Sequence, residues 1–277
     1  MIQNSAMLVD LNISLWTARK MDKKVSQEID SAKNTRSRGG NYHKNLMSGT
    51  HKLEQVQKLV SAIRIWHYTN TLPWSDGGSR LLPMANFFEY KAKLNEFEQE
   101  FDTAVRNFLN EYPTLVSAAA FTLGDLFDSQ EYPDVSSLVD KFKFKYVFLP
   151  VPSAGDFRVD VEDTYVNELK AQYESFYEAK LGDAMADAWN RLHDCLTKMS
   201  EKLAGEEKQI FRDSLVTNAT DLCSLLTKLN VTNDAKLERA RQSLEKALLG
   251  VSPDELRKYD DARLDVKAKV DAILDMF

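Results

Sequence analysis

The residues best suited to metal chemistry lie in the C-terminal half of the chain. His193 and Cys195 flank Asp194, and Cys223 follows on a second predicted helix. A structural zinc ion needs four converging ligands, and helical positions two apart point in different directions. We therefore expect no metal site here, and we expect both cysteines to be small buried hydrophobic side chains rather than a disulfide.

Other patterns associated with catalysis are incomplete. Glu96 and Glu100 lie four apart on one predicted helix, as metal-binding carboxylates do, but no Glu-x-x-His companion accompanies them. Gly39 and Gly40 lack the spacing and the following Lys and Ser or Thr of a nucleotide loop. The sequence contains no serine elbow and no Cys–His nucleophile pair. It therefore predicts no enzyme, no catalytic residue and no cofactor.

A basic segment near the N-terminus contrasts with the rest of the chain. The net charge is −6, yet the first 80 residues contain twelve Lys and Arg against six Asp and Glu. Basic side chains neutralise phosphates while aromatic rings stack on exposed bases, a combination typical of single-strand binders. The candidate nucleic-acid contacts are Arg36, Arg38, Tyr42, His43, Lys44, Lys52, Trp74 and Arg80. A loop that binds a protein partner also explains this segment. We therefore expect a non-enzymatic interaction or assembly protein that acts through its helical surfaces, and single-stranded nucleic-acid binding by the basic segment is the alternative.

The strongest pattern is a long apolar stripe between Val161 and Leu203, with apolar residues at steps of three and four. It comprises Val166, Leu169, Tyr173, Phe176, Leu181, Met185, Ala188, Leu192, Leu196, Met199 and Leu203. The pattern predicts one helix about 60 Å long. A rod of this length packs against other helices of its chain or against another chain, as in a homo-oligomer, and periodicity does not distinguish the two.

The N-terminal half combines helical and extended patterns. Alternation from Val9 to Leu15 favours a short strand, although the same residues fit the start of a helix. Residues 31–45 predict a mobile loop. Helical stripes cover 53–67 and 87–112, the second ending at Pro113, and shorter helices are predicted at 114–127 and 133–142, the last capped by Asp134.

The segment 141–161 is the best candidate for β structure. Aromatic residues alternate with lysines from Lys141 to Phe148, and Phe157, Val159 and Val161 alternate after a turn. This pattern predicts a two-stranded hairpin or the edge of a small sheet.

Further helices are predicted after the long one, over 211–229, 237–248 and 253–277. The last has a complete start signal, with Ser252 as the cap, Pro253 at the first helical position and Glu255 closing a capping box.

Together these patterns predict a mainly α fold, a helical bundle with one long amphipathic helix and a small β hairpin. The expected organisation is an N-terminal helical domain (1–140), a hairpin connector (141–161) and a C-terminal antiparallel bundle (162–277). The N-terminus lacks the pattern of a signal peptide and no stretch has the apolar length of a membrane span, so we expect a cytoplasmic protein without a membrane partner.

Several short motifs resemble those of an uncharacterised family of phage and bacterial proteins. They are Leu72-Pro73-Trp74, Gly78, Arg80, Leu82 and Pro83; Phe148-Leu149-Pro150-Val151-Pro152 and Asp156-Phe157-Arg158-Val159; and Phe211-Arg212-Asp213 with Asn218. Members of the similar family are often encoded near a MoxR-type AAA ATPase and a von Willebrand-type protein. The resemblance implies an adaptor or substrate of such a machine, acting in the host cytoplasm if phage-encoded, and it implies no catalytic residues.

Overall fold

The computed structural model describes residues 5–152, 163–204 and 212–277, and the predicted mainly α fold is confirmed. The helices are α1 Lys23–Ala32, α2 Lys52–Asn70, α3 Phe87–Leu123, α4 Val135–Val139, α5 Asp163–Leu203, α6 Ser214–Leu229, α7 Ala235–Leu248, α8 Pro253–Lys258 and α9 Asp260–Leu274. The strands are β1 Ala6–Ser14, β2 Arg19–Met21, β3 His43–Asn45, β4 Leu72–Pro73, β5 Arg80–Pro83 and β6 Lys143–Leu149. No helix in the described residues is both long and apolar enough to cross a bilayer.

The strands form a four-stranded sheet in the order β4-β5-β1-β6 and a separate ribbon of β2 and β3. Antiparallel pairing places Ala6 opposite Pro83 in the sheet and Arg19 opposite Asn45 in the ribbon. The strand predicted near Val9 is confirmed as β1. The lysine–aromatic alternation is confirmed as β6, at the edge of the sheet beside β1, whereas the predicted second hairpin strand lies outside the described residues.

The chain forms two compact units, each assembled from separate stretches of sequence. Unit 1 contains Met1–Asp10, His67–Lys91 and Val147–Phe277, and unit 2 contains Leu11–Trp66 and Ala92–Tyr146. The boundaries predicted near 140 and 161 do not coincide with this division, because long elements such as α2 and α3 contribute residues to both units.

The core of unit 1 includes the second half of α5, packed against α6 and α9, while α7 packs on α6 and α9. Leu192 and Leu196 are fully buried there. The long helix is confirmed over Asp163–Leu203, and its 41 residues span about 60 Å. Burial begins only at Ala184, however, and between 165 and 183 no residue is fully buried, with Phe176 51% exposed.

The core of unit 2 is formed largely by α2 and α3, with Val60, Ile63, Phe101 and Phe108 among its buried residues. The predicted helix end at Pro113 is wrong, because α3 continues to Leu123. A proline inside a helix costs about 3 kcal/mol through its missing N–H and its steric clash. Apolar residues after the proline pack against the unit 2 core, and this burial offsets the cost.

Two other predicted boundaries also need correction. The helix predicted at 133–142 is limited to α4, where the Asp134 carboxylate accepts hydrogen bonds from the hydroxyls of Ser136 and Ser137. The predicted last helix is two helices, because Tyr259 has an extended conformation between α8 and α9. The Ser252 capping box is confirmed at the start of α8.

Candidate nucleic-acid interface

The basic segment folds into a local structure that we call the basic lobe, residues 19–45 of unit 2. It contains β2, α1, a loop and β3. The α1 N-terminus is capped by Asp22, whose Oδ1 accepts a hydrogen bond from the Val25 N–H at 3.1 Å. This bond lowers the pKa of Asp22 below its ordinary value, and the nearby Lys44 contributes in the same direction. The carboxylate therefore remains ionised and holds the helix start at neutral pH.

Hydrogen bonds tie the loop of the basic lobe to α1. The Tyr42 N–H donates to Ser26 Oγ at 2.9 Å, and the Asp22 N–H donates to the Tyr42 carbonyl at 2.9 Å. The Gly39 N–H donates to Asp30 Oδ1 at 3.0 Å. The loop predicted over 31–45 is thus bounded by α1 and β3 and is anchored at Gly39 and Tyr42, which places the arginines at 36 and 38 at the surface.

Most cations of the basic lobe are exposed and lack an acidic partner. The lobe contains eight Lys and Arg against three Asp and Glu. Seven of the eight have no carboxylate within ion-pair distance in the part of the chain that the structure describes: Arg19, Lys20, Lys23, Lys24, Lys33, Arg36 and Arg38. Because the eight cations outnumber the three acidic residues, the lobe presents a net positive field to solvent.

A groove of about 440 Å³ lies between the β2–β3 ribbon and α2. Its polar lining includes Arg19 and His43 from the ribbon and Arg64 from α2, whose Nη2 donates to the Ile13 carbonyl at 2.8 Å. Glu54 also lines the groove and contacts His51 at 3.3 Å. The groove is therefore a concave polar surface that joins the basic lobe.

Four of the eight predicted contact residues lie in the basic lobe with exposed side chains: Arg36, Arg38, Tyr42 and His43. A fifth, Lys52, begins α2 and forms a 2.7 Å ion pair with Glu111 on α3. The predicted use of these five residues in binding stays a prediction.

The sixth residue, Lys44, is only 5% exposed and points into unit 2. Its Nζ lies 2.7 Å from Glu131 and 3.4 Å from Asp22, and it donates to the Leu126 carbonyl at 2.8 Å. Burial alone would lower the pKa of Lys44, but the two carboxylates outweigh burial and raise it. Lys44 therefore anchors β3 from within and presents no free face to a phosphate.

The remaining two residues, Trp74 and Arg80, belong to unit 1. Trp74 is 6% exposed and packs edge-on against Tyr177 with ring centroids 5.5 Å apart. Arg80 Nε donates to Thr71 Oγ1 at 2.7 Å, and the guanidinium lies 4.7 Å from the centroid of the Tyr68 ring. Trp74 is thus buried in the packing of unit 1 and offers no face for base stacking. Arg80 is half-buried and engaged by Thr71 and Tyr68, and its predicted phosphate contact stays a prediction.

Arg19 and Arg64 were not among the predicted contact residues, although both line the groove. Their sequence neighbourhoods contain no motif, and they lie 45 positions apart in the sequence. The pairing of β2 with β3 and their packing against α2 bring the two arginines to one surface. Local sequence periodicity does not predict this proximity.

The described residues contain no cluster of three or more His, Cys, Asp or Glu side chains that could hold a metal ion. Cys195 and Cys223 are free thiols. Burial raises the pKa of Cys223 to about 11, so its reactive thiolate form is scarce at neutral pH.

Comparison with known proteins gives no match: no protein-family model, no curated protein and no solved structure resembles the chain significantly.

Proposed function

We propose that this chain is a non-enzymatic protein that binds single-stranded nucleic acid through the basic lobe of unit 2. The observation that carries the proposal is the set of seven exposed cations that have no acidic partner among the described residues. Clustered like charges repel one another, and this repulsion is relieved when an anion binds. The phosphates of a nucleic-acid backbone supply such anions at regular intervals.

In this proposal the basic and the aromatic residues of the lobe have different roles. Arg36 and Arg38 neutralise phosphates on the loop, while the exposed rings of Tyr42 and His43 offer faces on which unpaired bases stack. Arg19 extends the positive surface into the groove. Because the chain as a whole carries a net charge of −6, the excess of cations on the lobe favours a polyanion there over the acidic surface elsewhere.

A fluorescence-anisotropy titration with labelled oligothymidylate tests the proposal. We expect binding that weakens as salt rises and a smaller salt slope in Arg36→Ala/Arg38→Ala, by about 0.7 for each lost phosphate contact. The matched control is Lys143→Ala/Lys145→Ala, which removes two exposed cations from β6 in the same unit. Binding that ignores salt, or equal weakening in the two variants, would refute the proposal, and tighter binding of duplex would refute its single-strand part.

A second candidate function is protein–protein interaction or assembly. It is favoured by the first half of α5, where Tyr165 and Phe176 are 59% and 51% exposed on one helix. In this proposal the C-terminal helices form an antiparallel bundle, and the first half of α5 pairs with another chain as a coiled coil. The resemblance to phage and bacterial proteins suggests an adaptor for an AAA ATPase in the cytoplasm.

Sedimentation velocity at rising protein concentration tests the homo-oligomer. We expect a discrete oligomer that dissociates in Phe176→Glu, since a charge in an apolar helix pairing is costly. A strict monomer at all concentrations would remove the homo-oligomer from this proposal.

A further inference from the structure

A second basic groove lies in unit 1, at a site unrelated to the basic lobe. It has a volume of about 500 Å³, within the usual range of ligand sites. Its lining includes Trp189 of α5, Met276, and Lys236, Arg239, Ser243 and Lys246 of α7. We propose that this α7 groove binds an acidic peptide segment that carries an apolar side chain.

Two cations of the α7 groove lack an acidic partner in the part of the chain that the structure describes, because the acidic residues of α7 are engaged elsewhere. Arg241, which is 8% exposed, pairs with Glu238 at 2.7 Å and with Glu245 at 2.9 Å. Both carboxylates of the helix are thus drawn to Arg241. Arg239 and Lys246 are exposed and have no carboxylate within ion-pair distance among the described residues. The groove therefore carries positive charge in a chain that is acidic overall.

The apolar side of the α7 groove is held in place. Trp189 Nε1 donates to Asp234 Oδ2 at 3.0 Å, and the indole contacts the Phe277 ring edge-on at a centroid distance of 5.0 Å. Asp234 also caps α7 and stays ionised, but this one carboxylate offsets only part of the charge of the three cations in the groove. Met276 is 50% exposed and its flexible thioether adapts to different apolar partners. A fixed indole and an adaptable methionine suit an aliphatic or aromatic side chain.

The spacing of the cations favours a peptide over a small phosphorylated ligand. Lys236 and Arg239 are one helical turn apart, and Lys246 lies about 15 Å along the axis from Lys236. A single phosphate group needs cations gathered around one point. Carboxylates repeated along a peptide match charges distributed along a helix, so an acidic segment engages all three cations at once.

The test uses a fluorescein-labelled helical peptide with glutamates at the spacing of Lys236, Arg239 and Lys246 and one leucine between them. We expect saturable binding to the full chain, weakened about tenfold or more in Arg239→Glu/Lys246→Glu, because two exposed ion pairs become repulsive. The control Lys202→Glu/Lys258→Glu has the same net charge and alters exposed cations outside the groove. It should bind as the unaltered chain does.

A second variant guards against misfolding. Arg239→Gln/Lys246→Gln removes the charges without adding repulsion, and its far-UV circular dichroism should match that of the unaltered chain while the peptide binds more weakly. Equal binding of a peptide with glutamine in place of glutamate, or equal weakening in the control, would overturn the proposal. The proposal would also be overturned if the peptide did not bind while oligothymidylate did, and if the oligothymidylate binding were lost in Arg239→Glu/Lys246→Glu.

Discussion

Replacing Lys44 with methionine isolates the charge that anchors the basic lobe from within. Methionine keeps an unbranched apolar side chain of similar length but removes the ammonium group. Glu131 and Asp22, only 17% and 15% exposed, then lose their shared cation, and the Leu126 carbonyl loses its donor. The perturbation therefore leaves two mostly buried carboxylates without compensation.

The expected size of the effect follows from this burial. Removing one partner of a fully buried ion pair costs about 3–5 kcal/mol. Water still reaches both carboxylates in part, so we expect Lys44→Met to lower the free energy of unfolding by about 2–3 kcal/mol. Such a loss is large beside the stability of about 5–15 kcal/mol that is typical of folded domains.

Urea denaturation followed by far-UV circular dichroism measures this loss. The double variant Lys44→Met/Glu131→Gln should lower the free energy of unfolding by less than the sum of the two single changes, because one of the two unpaired carboxylates is gone. A loss below about 0.5 kcal/mol in Lys44→Met would refute the anchoring role, since that is the range of ordinary surface substitutions.

The pH dependence provides an independent check with a defined sign. The pKa of Asp22 is lowered below 3.8 in the fold, so its contribution is present above its unfolded pKa and is lost as acidification passes the folded value. The pKa of Lys44 is raised, so its contribution is lost only at strongly alkaline pH. The difference in free energy of unfolding between the unaltered chain and Lys44→Met should therefore be constant near neutral pH and become smaller in acid.

Three further predictions concern unit 1. Burial lowers the pKa of His67 from 6.5 to about 4, so this side chain is neutral in the folded protein at neutral pH. The free energy of unfolding should therefore fall as the pH drops from about 6.5 toward 4. In urea denaturation, His67→Gln should make this fall smaller. In the same assay, Leu192→Ala should lower the free energy of unfolding by about 2–5 kcal/mol, because that side chain is buried. Phe176→Ala should lower it by less than about 0.5 kcal/mol, because that side chain is exposed. Equal losses would contradict the burial difference along α5. Ser252→Ala should cost about 1 kcal/mol by removing the capping box, and an unchanged thermal midpoint would contradict it.

The local elements of this protein were largely predictable from its sequence. The α5 periodicity and the Ser252 capping box depend on neighbours within a few residues, so they are visible in the sequence. The helix through Pro113 was not predictable, because packing of distant residues offsets a local penalty. The extended Tyr259 likewise interrupts a continuous apolar pattern that carries no stop signal.

The candidate site divides in the same way. The excess of cations near the N-terminus follows from composition, and the exposure of Arg36 and Arg38 agrees with that pattern. Only the tertiary structure turns Lys44 inward toward Glu131, 87 positions away in the sequence, and brings Arg19 and Arg64 to one groove. Charge is a property of the residue, whereas its partner depends on chain segments that meet only in the folded state, and the partner decides whether a cation anchors the fold or faces a ligand.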